Sequence, residues 1–198
     1  ALLGAELFGD DGLNAAADLA FREARAAARG GLALPLADVG IAALEGRSRM
    51  AAGDAQAARV VAARFTIPIQ GLQVLTKRCR AARLLAVEAR LVRADLLLGW
   101  GARLKDRDLL QQALDDAETA VDGLDAAFEP LSWARAAALR GQALALLGDA
   151  AGQIESVAEA VNALADVLGE LNRDHSPMDW ARVQTALAEV HRHVALDN

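Results

Sequence analysis

Residues 130–150 read PLSWARAAALRGQALALLGDA, and the chain carries the same frame elsewhere. Residues 35–55, PLADVGIAALEGRSRMAAGDA, repeat the opening Pro-Leu, the glycine eleven positions on, and the closing Gly-Asp-Ala. Pro177-Met178 opens a third copy, in which Ala188 takes the slot of the first glycine. A fourth lacks its proline and places Ala94 and Gly101 in the two small-residue slots. Gly46, Ala94, Gly141 and Ala188 therefore recur at intervals of 48, 47 and 47 residues. A fixed period near this length marks stacked helical units, since one helix pair cannot bury its apolar face alone.

The frame predicts helix pairs. Pro130 suits the first turn of a helix, where its missing N–H has no intrahelical partner. Trp133, Ala137, Gly141 and Leu144 follow at helical spacing. Gly148-Asp149 is expected to end that helix, and Ile154, Val157, Val161, Leu164, Leu168 and Leu171 to line a second. Asn172 to Ser176 form a polar turn. A mid-helix glycine costs about 1 kcal/mol relative to alanine, so Gly46 and Gly141 at equivalent places point to close helix approach. Trp133 and Trp180, each three residues after a proline, are expected to anchor the core.

The resulting expectation is one all-α domain over residues 1–198, a right-handed α-solenoid of antiparallel helix pairs with a period of about 47 residues. Its units are 1–34, 35–81, 82–129 and 130–176, with a terminal helix at 177–195. Unit one turns at Gly9-Asp10, runs as a helix near Leu13 to Arg29 and stops at Gly30-Gly31. In unit two, Thr66-Ile67-Pro68 predicts a kink or a break. Residues 65–83 read either as one kinked helix or as a loop before a very long helix reaching Arg103. In unit three, the first helix is expected to end near Trp100-Gly101 and the second to run from Asp106 to Ala126.

Composition limits the function classes. The chain has 198 residues, no tyrosine and four prolines, a mixture that favours long helices. Its net charge of −6 argues against nucleic acid as a partner. Nowhere do 18 uncharged apolar residues run together, so no membrane partner is expected. The single cysteine, Cys79, excludes an internal disulfide and fits a cytoplasmic setting. The chain begins at Ala1, within an apolar stretch of Leu2, Leu3, Leu7 and Phe8, and reads as a fragment.

Gly141, Leu144, Gly148 and Ala160, like Ala94, Leu97, Gly101, Ala113, Ala117 and Ala120, fit the small-bulky-turn-alanine core of a known pattern. The chain resembles the tetratricopeptide-repeat family over residues 35–194. Its Pro-x-x-Trp-Ala-Arg openings at Pro130–Arg135 and Pro177–Arg182 resemble a longer variant in bacterial multi-repeat proteins. Asp38, where that variant has tryptophan, and Pro68 depart from it. The resemblance implies a concave groove lined by first helices, here Arg47, Arg135, Ala138, Gln142, Arg182, Thr185, Glu189 and His193. It further implies a non-enzymatic scaffold or adaptor that binds a protein or peptide segment. Arg135 and Arg182, one repeat apart, either clamp an acidic partner or pair with neighbouring acids such as Asp179.

Motifs for chemistry are missing: the sequence has no GxxxxGK[ST], GxSxG or HExxH. His191 and His193 are two apart on a helix and His175 lies in a turn, so no metal and no cofactor is expected. Lys77, Arg78, Arg80 and Arg83 form a basic patch, continued by Arg90 and Arg93, that reads as a solvated or salt-bridged face or as a dock for an acidic partner. Cys79 sits inside it, as a reactive thiol or as inert packing. Asp115-Asp116-Glu118 read as solvated surface. Two further readings stand beside the scaffold. One is a small-molecule-sensing domain with a pocket near Leu96-Leu97-Leu98-Trp100; the other is homo-oligomerisation through a repeat end.

Overall fold

The structure is a computed structural model that describes residues 11–50, 55–151 and 154–196. The turns expected at Gly9-Asp10 and Gly53-Asp54 lie outside the described residues, as does the side chain of His193. All regular structure among the described residues is α-helical: α1 Asp11–Ala27, α2 Ala33–Met50, α3 Ala55–Arg64, α4 Thr66–Leu75, α5 Arg80–Leu104, α6 Arg107–Asp122, α7 Pro130–Ala151, α8 Ile154–Glu170 and α9 Pro177–Leu196. They form two compact units, Ala1–Ala89 and Arg90–Asn198, whose boundary falls within α5.

In the first unit α2 is the central helix, in contact with α1, α3 and α4. The glycines after α1 hold positive φ, +107° at Gly30 and +68° at Gly31, so α1 ends where the sequence places its stop. Gly40 lets α1 approach, since a Cβ there would meet the Phe21 ring at 2.5 Å. The ambiguity at residues 65–83 resolves into two helices. The break comes at Phe65, which is fully buried. Pro68 is the third residue of α4, where the missing N–H is one of the helix's unsatisfied donors. A turn at residues 76–79 then leads into the 25-residue α5.

In the second unit α7 is central. It contacts α6, α8 and α9, and α9 rests on α8 as well. The core gathers Ala134, Ala160, Leu164, Val167, Val183 and Ala186. Trp133 and Trp180 pack against it half-buried, as anchors at equivalent places, and Arg173 lies 5.3 Å from the Trp180 ring. At Gly141 α7 lies close against α8, since a Cβ would stand 2.9 Å from Leu164 Cγ.

Besides the second helix of unit three, which ends at Asp122 and not at Ala126 because Asp125 closes a turn there, three sequence expectations need correction. Gly101 and Gly148 do not end their helices; α5 continues to Leu104 and α7 to Ala151. Gly101 instead serves packing, because a Cβ there would meet Leu110 at 2.7 Å. The α5 stop is made by Lys105, at φ +53°, and by Asp106, whose carboxylate accepts from the Asp108 and Leu109 N–H groups. Second, Ala188 is exposed although Gly46, Ala94 and Gly141 are buried. Among the described side chains of α9 the buried face is Val183, Ala186 and Val190, whereas α7 is contacted by three helices. Third, Asp116 is not solvated surface. It is 3% exposed and takes hydrogen bonds from Arg90 and Arg93.

Candidate functional site

The turns before α7 and α9 are built alike. Asp125 Oδ1 accepts from Ala127 N at 2.9 Å; Asn172 Oδ1, 47 residues on, accepts from Asp174 N at 2.8 Å. The Asp125 carbonyl receives the Glu129 N–H at 2.7 Å, and the Asn172 carbonyl receives the Ser176 N–H at 2.9 Å. Glu129 and Ser176 then accept from Trp133 N and Trp180 N, both at 2.9 Å. A short side-chain acceptor thus closes each turn and delivers the proline to the first helical position. The sequence placed Asn172 at the start of a polar turn but did not single out Asp125, although both stand five residues before a proline, Pro130 and Pro177.

These turns start α7 and α9, which carry seven of the eight candidate groove residues. Arg135 and Gln142 lie seven residues apart on α7, on one face, and both are half-buried. Arg182, Thr185 and Glu189 share a face of α9 and are exposed. Thr185 spends its hydroxyl on the Ala181 carbonyl, 2.9 Å away. Ala138 is buried. Arg47 belongs to the first unit, on α2, and is half-buried; both it and Arg135 have interactions within the fold. The structure therefore puts the α7 and α9 residues on two adjoining helices and leaves Arg47 in the other unit.

The basic run divides. Lys77 and Arg78 lie in the turn before α5, and Arg80 is its first residue; all three are exposed. Arg83 is half-buried and engaged. Arg90 and Arg93 leave the patch for Asp116: Arg93 grips both carboxylate oxygens at 2.6 Å, and Arg90 Nη1 donates to Oδ1 at 3.0 Å. Cys79 is free and half-buried. Leu96, Leu97, Leu98 and Trp100 are buried in side-chain packing. Among the described residues no group of three or more His, Cys, Asp or Glu could hold a metal ion, and no helix is long and apolar enough to cross a membrane.

The first unit contains a cleft of about 620 Å³ that the sequence did not announce. Ala26, Ile41, Ala42, Ile67 and Pro68 make it mostly apolar, and Arg22, Arg25, Arg64 and Asp38 supply its charge. Arg25 Nε donates to Asp38 at 2.5 Å and Arg22 Nε to Asp18 at 2.6 Å, while Arg64 pairs with Glu45. The hydrogen bond that Arg22 donates to Asp18, then the Asp18 charge, holds the Arg22 guanidinium above its ordinary pKa. Compared with known family models, curated proteins and solved structures, the chain matches none.

Proposed function

We propose that the chain is a tetratricopeptide-like right-handed solenoid. In this reading it is a non-enzymatic scaffold that holds a protein or peptide segment on the face formed by its first helices. The observation that carries the reading is the turn made twice. Asp125 and Asn172, 47 residues apart, close the same hydrogen-bonded turn before helices that lie side by side and carry Arg135 and Arg182 in the same slot. Repetition of turn, helix start and charged residue supports stacked units, and stacked units present extended surfaces suited to chain segments. Two arginines at one slot favour an acidic partner, because guanidinium groups bind carboxylates in a fixed two-pronged geometry.

The test is selection of displayed random peptides on the intact chain and on the Arg135→Glu, Arg182→Glu variant. Peptides rich in Asp and Glu should be enriched by the parent and lost by the variant, at unchanged helical circular dichroism. Equal enrichment by both proteins removes the groove from α7 and α9.

A further inference from the structure

We propose that the cleft of the first unit is a binding site for a small amphipathic anion, a carboxylate carried on an unbranched apolar chain. This site is separate from the α7–α9 face and does not depend on it. Its volume of about 620 Å³ lies in the range of small-molecule sites, which are concave, mostly apolar and oriented by a few polar groups. The apolar wall comes from three helices: Ala26 on α1, Ile41 and Ala42 on α2, Ile67 and Pro68 on α4. Ile67 is 78% exposed, so an apolar chain laid along it would remove that surface from water.

The charged lining among the described residues is three arginines and Asp38, and each arginine is paired with an acid: Arg22 with Asp18, Arg25 with Asp38 and Arg64 with Glu45. Arg22 and Arg25 spend their Nε atoms on Asp18 and Asp38. Each guanidinium carries four further N–H groups, more than one carboxylate absorbs. The pairs they make are exposed, and exposed ion pairs hold weakly in water. A ligand carboxylate can therefore join the arginines without displacing a strong bond. Its chain would then lie along Ile41, Ala42, Pro68 and Ile67. A metal or phosphate ion alone would leave that wall uncovered, which is why the charge is assigned to an apolar chain.

The probe is sodium decanoate, titrated calorimetrically into the intact chain, with 1-decanol and sodium acetate as the chain without the charge and the charge without the chain. Decanoate should bind one to one and raise the melting temperature. Octanoate should bind about tenfold more weakly, for two methylenes left in water. Decanol and acetate should each bind at least about tenfold more weakly than decanoate. The Arg22→Gln, Arg64→Gln variant should lose about tenfold in affinity, and Ile67→Glu, at an exposed position that folding does not need, should lose measurable binding. Asp38→Asn should tighten binding severalfold, because it removes a carboxylate that lines the cleft beside the arginines, a gain that general damage to the fold would not produce. No binding of decanoate, equal binding of decanol, or affinity unchanged by both Ile67→Glu and Asp38→Asn overturns the assignment. None of these results bears on peptide selection by α7 and α9, so the two readings fail separately.

Discussion

Asp125 and Asn172 perform one task in two turns, each closing its loop through a side-chain oxygen that accepts the backbone N–H two residues ahead. The chemistry needs an acceptor on a short stem and no charge, so aspartate and asparagine are interchangeable there. Asp125→Asn and Asn172→Asp should change stability little. Asp125→Ala and Asn172→Ala should each cost about 1 kcal/mol, one exposed hydrogen bond. Urea unfolding checks this, and unequal costs for the two alanine variants would mean that the turns are alike in geometry but not in energy.

Asp116 and Asp115 are adjacent on α6 and should behave oppositely. Asp115 is exposed and accepts from Gln111 at 2.9 Å, so Asp115→Ala should move stability by less than about 0.5 kcal/mol. Asp116→Ala leaves Arg90 and Arg93 together without their shared carboxylate. Removing one partner of a buried pair costs about 3–5 kcal/mol, and the arginine side chains are still one-fifth exposed, which sets the expectation near the lower figure, about 3 kcal/mol. Thermal and urea unfolding of the two variants decide it.

Gly141→Ala and Gly169→Ala separate packing from helix propensity. Alanine gains up to about 1 kcal/mol over glycine in a helix. At Gly169 nothing lies within 4 Å of the new Cβ, so the change should stabilise by about 0.5 kcal/mol near the helix end. At Gly141 the Cβ meets Leu164 Cγ at 2.9 Å and Cδ2 at 3.1 Å in a filled core. Overpacking of this kind costs about 1–3 kcal/mol, so the net should be destabilising by about 1 kcal/mol. A stabilised Gly141→Ala would show that Leu164 can turn aside.

Lys105 and Asp106 together end α5 and begin α6. Lys105 holds φ +53°, where a side chain is strained and glycine is not. Lys105→Gly should stabilise by about 0.5–1 kcal/mol. Asp106→Ala should cost about 1 kcal/mol, since two N–H groups lose their acceptor. Both are read from urea midpoints at unchanged slope.

The helical class, the proline starts of α7 and α9, the stop at Gly30-Gly31 and the tryptophan anchors were legible in the residues alone. Each of these depends on a residue and its near neighbours along the chain: proline fixes its own φ, glycine opens its own, and an apolar spacing of three and four makes one helical face. Which charges are buried and which small residues are covered depends on how the helices pack. Asp115 and Asp116 look alike in a row of letters, yet one helical step turns Asp116 toward Arg90 and Arg93 on α5. Gly148 reads as a stop, but the helix continues through it because propensity is a weak term beside packing. Ala188 occupies the slot of Gly141 and is nonetheless exposed, because burial depends on the helix opposite and not on the slot. The cleft was illegible for the same reason: Arg22, Arg25, Arg64 and Ile67 meet only once α1, α2, α3 and α4 have packed.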